Sequence, residues 1–536
     1  MDKALFAHIE KQFPKFNERV CNGFAVGEMQ HVERYIDRTL RDAEQSFPPG
    51  LRYRGFERCT PHEEYAFITA KRHNRQTYEL ASSDIYLVKY HFEYQGEELK
   101  PRYLFLPFVR DGGTITLLGS TFQISPVLAD KAISVGIDNI FIPLNRDKLT
   151  FRRLVHPFMV DGCRTNAYVV WSAIYHAKRP SRNMPTQRKT IDVNASCVHY
   201  MFCKYGLTRT FVEFAKADVV VGMDDITPET YPPDVWRICS SVKLKPRGVK
   251  TKYYTGSEVK LAIRHEHYTP LTESLVAAFF YIADHFPDRV FPEYVDDTNQ
   301  WIRLMGQVIF ASRESEGKLA NNVEAHMDSL DDYVDVMSRE ELHEEGIYVD
   351  DIYELFMYVV DNFSALVTTV GSSVASMYDK RLKVLRYVLI DLIKAIFNMT
   401  FALKKHSKKQ LSKKEINDIM NKELKPELII RMNRNHPEVS SISSPGDNRI
   451  FKMTSNVILQ TNSTGNARSK KSATVEPSKF LHASIAEVGS FTNLPKSEPS
   501  GRSRINPYVH LGPNGAIERD PEKIEIIERT QNNIAR

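Results

Sequence analysis

The sequence has no CxxC pair, and its six cysteines, Cys21, Cys59, Cys163, Cys197, Cys203 and Cys239, are scattered along 536 residues. That spacing excludes a disulfide-stapled scaffold and reads as free thiols of a reducing compartment. Cys197-x-His199-x3-Cys203 has some metal-ligand flavour, but it lacks a fourth ligand at usable spacing, which argues against a structural zinc. There is no GxxxxGK[ST] phosphate loop, no GxGxxG after a strand and no HExxH, so the common nucleotide cradles and the zinc-protease helix are excluded. No cluster of closely spaced aspartates sits in a loop where it could hold catalytic magnesium. The opening MDKALFAHIEKQF is amphipathic and has no apolar h-region, so it is not a secretory signal. The most apolar long run, Leu385 to Leu403, is interrupted by Arg386, Asp391 and Lys394, which predicts a packed helix rather than a membrane span. These absences describe a soluble intracellular protein with no internal repeat.

What is present is an ordinary globular balance, 42% hydrophobic and 26% charged, with length for about two to four domains. The net charge of +5 is small for the length and names no partner. Its distribution says more. From Glu314 to Glu354 fourteen acidic residues face only Lys318 and Arg339, whereas from Phe451 to Asn506 eight Lys/Arg face Glu476, Glu487 and Glu498. The basic stretch is where an anionic partner is expected.

Residues 84–94 alternate: Tyr86, Val88, Tyr90, Phe92 and Tyr94 share one face, and Lys89, His91 and Glu93 share the other with Ile85 and Leu87. Period two with aromatic and β-branched residues predicts a half-buried strand. YLFLPFV (103–109), a turn at Asp111-Gly112-Gly113 and TITLLGSTFQI (114–124) continue it as a β-meander. A strand-like IFIPL (140–144) precedes helical patterns at 198–216 and 271–286. Asp328, Asp331, Asp332 and Asp335 have the spacing of one helix face, and a solvated face is favoured over a divalent-metal site because nothing nearby completes a ligand set. DDIYELFMYVVDNF and YDKRLKVLRYVLIDLIKAIFNMTFALKK, within 350–405, carry the strongest three-to-four spacing of apolar residues. KKHSKKQLSKKEI (404–416) reads as a basic surface segment and SSISSPGDN (440–448) as a linker. The last ninety residues are rich in Ser, Asn, Gly and Pro, with little periodicity. A long irregular tract of that kind is either disordered or functional and held by something else.

Within it, NVILQTNSTGNARSKKSA (456–473) resembles the segment of RNA polymerase β subunits that passes the nascent RNA and forms the rifampicin pocket, through Gln460-Thr461-Asn462 and Lys470-Lys471-Ser472-Ala473. NLPKSEPSGRSRIN (493–506) resembles the family's P-x-E-T-P-E-G-P-N stretch through Pro495, Pro499 and Gly501. His482-Ala483-Ser484, upstream of Gly489, stands where the family has His-Pro-Ser-His-Tyr-Gly, and GPNGAIERDP (512–521) resembles N-E-Y-G-F-I-E-T-P. Upstream, residues 106–134, 199–214 and 378–392 resemble a P-L-M-T-x-x-G-T-F-I-I-N-G stretch, an L-x-A-L-G helix–turn and an L-G-N-R-R-V-R-S-V-G-E-L helix. The matches are individually weak, and their collinear order carries the resemblance. The departures are Ser500 for the family's Glu, Ser503 for its Asn, a basic run one residue shorter, and a length under half that of a bacterial β subunit.

The chain thus resembles the amino-terminal part of the β subunit of a multisubunit DNA-dependent RNA polymerase, in the split form of giant tailed phages. The resemblance implies an α+β, multidomain architecture with no Rossmann fold or TIM barrel: a protrusion-like domain from 1–135 plus 350–440, an inserted lobe-like domain at 136–349 and a fork-like segment at 441–536. It implies a component of a nucleotidyltransferase, inactive alone, that holds the RNA–DNA hybrid and downstream DNA. Implied contacts to RNA are Gln460, Asn462, Arg468, Lys470, Lys471, Lys496, Arg502, Ser503 and Arg504, with no catalytic and no metal-binding residue in this chain. Mg2+ is expected on a partner β′-like subunit. Expected partners are a carboxy-terminal β-like chain, split β′-like chains, a phage promoter-specificity subunit as a further candidate, template DNA, nascent RNA and NTPs, with no membrane. The expected location is the cytoplasm of the infected bacterial host, the virion being the alternative. Plain alternatives stand beside these roles: Lys470 and Lys471 as a solvated pair, Arg502 and Arg504 as contacts to a partner subunit, His482 as a turn-packing residue, and Lys404 to Lys414 as a solvated face or a DNA contact. Leu459 and Ser469 replace the acidic residue and the His that line the drug pocket of sensitive enzymes, which implies rifampicin resistance. A virion structural or nucleic-acid-organising protein is the competing reading.

Overall fold

The computed structural model describes residues 16–70, 72–136, 138–144, 148–172, 174, 193–246, 254–310, 315–331, 333–369, 376–406, 411–433, 439–441, 458–460, 484–489 and 502–520. They form two compact units, one drawn from 1–131, 335–337 and 372–536, the other from 132–334 and 338–371. Both mix helices and sheets, so the chain is α+β.

In the first unit the alternating segment is the central strand, Ile85–Tyr94, paired antiparallel with Leu51–Arg58 and with Arg102–Pro107. Val88, Tyr90, Phe92 and Tyr94 are buried, as period two requires, but Ile85 and Leu87 are buried as well. Helix Pro61–Thr69 closes that second face: its Phe67 ring lies 5.8 Å from Phe105, which stands opposite Leu87. Leu51–Arg58 escapes the sequence pattern because Gly55 and a register shift interrupt its alternation. The sheet core is completed by helix Leu385–His406, which buries Leu389, Leu392, Ile396, Met399 and Leu403 and packs against helices Val32–Ala43, Lys413–Glu423 and Leu428–Asn433. Ser412 and Glu415 form a capping box that starts Lys413–Glu423 inside the basic segment. The hairpin expected at 114–124 is Thr114–Leu117 with Ser120–Ile124, turned through Leu118 and Gly119 at φ 50° and 78°. Its second strand also pairs with Val439–Ser441, which runs into the start of the linker expected at 440–448.

The helical pattern over 378–392 needs correcting at its start. Lys380–Lys383 is a strand, antiparallel to Val127–Asp130, with Lys380, Arg381 and Leu382 buried and Lys380 paired to Asp130. The alternative pairing partner overrides the local helical spacing, and the helix begins only at Leu385.

The second unit is built on a seven-stranded antiparallel sheet. Its path runs Val219–Gly222, Lys260–Arg264, Trp236–Ser241, Lys148–Val160, Asn139–Pro143, Ser134–Val135, and Cys163–Ser172 pairs Lys148–Val160 as a long hairpin. Helix Pro270–His285, capped by Thr269, is buried continuously from Leu275 to His285 and lies against this sheet. The pattern at 198–216 becomes two helices, Cys197–Tyr205 and Leu207–Ala215. Gly206 divides them at φ 80°, where a Cβ would press on Asp296 Cα at 3.1 Å. Helix Ile352–Thr369 belongs to this unit, whereas the resemblance grouped 350–440 with the first block. Its Phe356 meets Phe151 and Tyr200 at 6.1 and 5.5 Å, and a helix this apolar is held by the larger core that can bury it. Among the described residues, no helix is long and apolar enough to cross a membrane.

Candidate nucleic-acid interface

Two of the candidate tracts, forty residues apart, meet in one ladder. Ile458–Gln460 pairs antiparallel with Arg502–Arg504, setting Ile458 opposite Arg504, Leu459 opposite Ser503 and Gln460 opposite Arg502. Gln460 also pairs, in parallel, with Val127, so the sheet order is Lys380–Lys383, Val127–Asp130, Ile458–Gln460, Arg502–Arg504. By the period of two, positions 458, 460, 502 and 504 fall on one face of the ladder and 459 and 503 on the other. Three expected contact positions, Gln460, Arg502 and Arg504, thus share a face, and Ser503 lies on the reverse. Asn462, Arg468, Lys470, Lys471, Lys496 and His482 lie outside the described residues, as does Ser469.

The surroundings of the ladder are fixed by main-chain bonds. Ile505 is fully buried and bridges Gly489, and Asn506 N donates to Val488 O at 2.7 Å. The Ser484 hydroxyl, at the start of helix Ser484–Val488, accepts from Met377 N at 2.8 Å. Tyr378 donates to the Glu487 carboxylate and lies under the Arg519 guanidinium, 4.9 Å from its ring centre. Burial first, and then the bond to Glu487, push the Tyr378 phenol up to about 12. Leu382 N donates to Gly515 O at 2.8 Å, where Gly515 sits at φ 77° and a Cβ would strike Leu382 O at 2.6 Å. Residues 376–383, 484–489 and 502–520 are therefore one assembly. Lys380 and Arg381, buried beside the ladder, are cations the pattern reading passed over; the run Asp379-Lys380-Arg381 was the available signal.

The other candidate sites resolve as core or surface. The helix Glu316–Leu330 ends before the aspartates finish: Asp331 is its C-cap, and Asp335 precedes the next helix, Val336–Glu344. Asp328, Asp331 and Asp335 are therefore not one helix face, Asp332 lies outside the described residues, and Lys204 Nζ reaches Asp331 at 3.0 Å. Among the described residues no three His, Cys, Asp or Glu side chains are grouped to hold a metal ion. Cys197, His199 and Cys203 are buried in helix Cys197–Tyr205, and burial pushes both thiols upward. His199 Nε2 lies 3.1 Å from Trp301 O, and burial holds its pKa down to about 4 despite that carbonyl. Below the ordinary value near 6.5 the unfolded chain therefore takes up a proton that the folded chain refuses. The second unit should lose on the order of 3 kcal/mol between about pH 6.5 and 4 from this group alone. Urea titrations at pH 7 and 4.5 check it: His199→Gln should flatten the difference, and an unchanged difference would remove His199 as its source.

The described residues thus bring the basic strand Arg502–Arg504 to a junction of segments distant in sequence. The model of the non-virion RNA polymerase subunit family matches residues 2–532. The chain belongs to that family and is a subunit of a phage RNA polymerase, a component of a larger transcription enzyme that acts in the infected cell. No curated protein matches it in sequence.

Proposed function

We propose that this subunit is the amino-terminal β-like component of its polymerase and that the ladder Ile458–Gln460/Arg502–Arg504 faces the RNA–DNA hybrid. The observation that supports it best is the pairing itself: the two tracts that resemble the RNA-facing segments of β subunits are neighbours, with Gln460 opposite Arg502. A processive polymerase must hold the hybrid without reading its sequence, which favours contacts to phosphates and sugars. Arg502 and Arg504, with Arg468, Lys470, Lys471 and Lys496, offset phosphate charge near the growing end, and Gln460 and Asn462 donate to backbone oxygens. Ser503 takes the place of the family's Asn. Phosphoryl transfer depends on positioning and charge stabilisation more than on covalent chemistry. A subunit that gives cations fits that division. Mg2+ then belongs to a β′-like partner, and a carboxy-terminal β-like chain, split β′-like chains and a promoter-specificity subunit complete the enzyme in the host cytoplasm, on template DNA with nascent RNA and NTPs. The competing reading, a virion structural or nucleic-acid-organising protein, has no observation in its favour.

The test is photo-crosslinking in the assembled enzyme, with a photoreactive nucleotide at the RNA 3′ end. Crosslinks should map to 456–473 and 493–506; crosslinks confined to other subunits would overturn the assignment. The purified chain alone should make no RNA on any template, and templated synthesis by it alone would refute the division of labour.

A further inference from the structure

A three-pair ladder is a weak specifier of register, and a slip of one residue would turn positions 502 and 504 to the opposite face. Something beyond the ladder has to fix it. The loop that follows it is gripped by the segment Phe16 to Phe24, almost five hundred residues away in sequence. Asn17 N donates to Pro507 O at 2.8 Å, and Asn17 Nδ2 donates to Val509 O at 2.9 Å. Arg19 Nη1 donates to Gly512 O at 2.8 Å and to Pro513 O at 3.2 Å, with its guanidinium 5.0 Å from the centre of the Phe24 ring. Phe16 stacks on Tyr508 with ring centres 4.8 Å apart and planes at 14°. Asn17 is itself held, because its side-chain oxygen caps helix Glu18–Cys21 by accepting from Val20 N at 3.2 Å. Apart from the ring stack, these contacts end on main-chain carbonyls of the loop. They fix where the backbone runs whatever its side chains are.

We infer that Asn17 and Arg19 are positioning residues that set the register of Arg502–Arg504 against Ile458–Gln460. The inference rests on the proposed RNA-facing role of that ladder only for its consequence in transcription; the register effect stands without it. Loss of the two side chains frees the carbonyls of 509, 512 and 513 together, while the main-chain bond from Asn17 N to Pro507 O and the buried Ile505 keep the chain near its place. The strand then has neighbouring registers within reach.

The experiment uses the assembled polymerase carrying cysteine pairs in the subunit: Leu459→Cys with Ser503→Cys, with Arg502→Cys or with Arg504→Cys. Mild oxidation should join the 459–503 pair and leave the other two largely unjoined. With Asn17→Ser and Arg19→Ala added, joining of 459–503 should fall by about tenfold and one of the neighbouring pairs should gain. Asn17→Ser keeps a capping oxygen for Val20 N but removes the donor to Val509 O, so helix Glu18–Cys21 is retained. Arg19→Lys, which keeps one donor, should restore most of the native pattern. Should the double variant not assemble, Asn17→Ser alone carries the test, with a smaller shift of the same sign. An unchanged joining pattern in these variants overturns the inference. In parallel, without the cysteine pairs, the KM for NTPs should rise more than kcat falls. A moved register with unaltered KM and RNA crosslinks upholds the positioning role and sinks the RNA-facing reading. Native crosslinks at 502–504 with an unmoved register do the reverse.

Discussion

Trp301→Ala should destabilise the second unit by about 3–5 kcal/mol, the largest loss expected from a single substitution in its core. Trp301 is 1% exposed and lies in helix Thr298–Ile309, with ring centres 4.8 Å from Phe202, 6.3 Å from Phe279 and 5.9 Å from His199. Its indole N–H donates to Val295 O at 2.7 Å, but that carbonyl also accepts from Leu207 N at 3.0 Å. The lost hydrogen bond therefore leaves no orphan acceptor, and the cavity dominates. Trp301→Phe should cost clearly less. All three tryptophans, Trp171, Trp236 and Trp301, lie in this unit, so intrinsic fluorescence follows its unfolding. Denaturant titration should show the midpoint falling for Trp301→Ala while a far-UV signal from the first unit keeps its own transition. A shift below 1 kcal/mol would mean that the pocket collapses around the alanine, against the rigid packing of the surrounding rings.

The same region shows what local sequence could reveal. Helix Pro270–His285 announces itself by length, by an N-capping Thr269 and by Pro270 at its first turn. Strand Ile85–Tyr94 is legible because one face is buried from Val88 to Tyr94, and it misleads only where Phe67 covers the second face. Lys380–Lys383 was hidden because its conformation is decided by Val127–Asp130, about 250 residues earlier, while its own spacing continues into a helix. The aspartate series failed for a local reason: the periodicity crosses a helix end at Leu330, and periodicity does not mark ends.

The candidate interface divides in the same way. Resemblance picked out the tracts around Gln460 and Arg502 separately, and only pairing shows them as one ladder. Asn17 and Arg19 gave no sequence signal, since side chains that bind carbonyls need only a donor at the right place. An Asn before a short helix reads as a cap, which it also is.

The assembled polymerase should transcribe at rifampicin concentrations that stop a sensitive bacterial enzyme, with binding weaker by roughly two to four orders of magnitude. In sensitive β subunits the matching tract offers a carboxylate just before the Gln-x-Asn core and an imidazole before the basic run. This chain has Leu459 at the first position and, allowing for one residue in the alignment, Ser469 at the second. Leu459 stands opposite Ser503 in the ladder, on the reverse of the face shared by Gln460 and Arg502; Ser469 lies outside the described residues. A leucine in place of a carboxylate removes the acceptor, and a serine in place of an imidazole removes bulk and a hydrogen-bonding edge. Losing either partner of a buried polar contact costs about 1–3 kcal/mol, and about 1.4 kcal/mol is a factor of ten in affinity. The alternation of the strand adds a condition: a drug-facing side chain at 459 requires the pocket to open on the face of Ser503, not on that of Arg502. Leu459→Glu together with Ser469→His should then recover part of the sensitivity, whereas the same pair of changes leaves it untouched if the pocket lies on the other face. In vitro transcription with both enzymes titrated in parallel gives the answer. Coincident inhibition curves would show that the alignment of 456–473 is wrong, and with it the RNA contacts assigned to Gln460, Asn462, Arg468, Lys470 and Lys471.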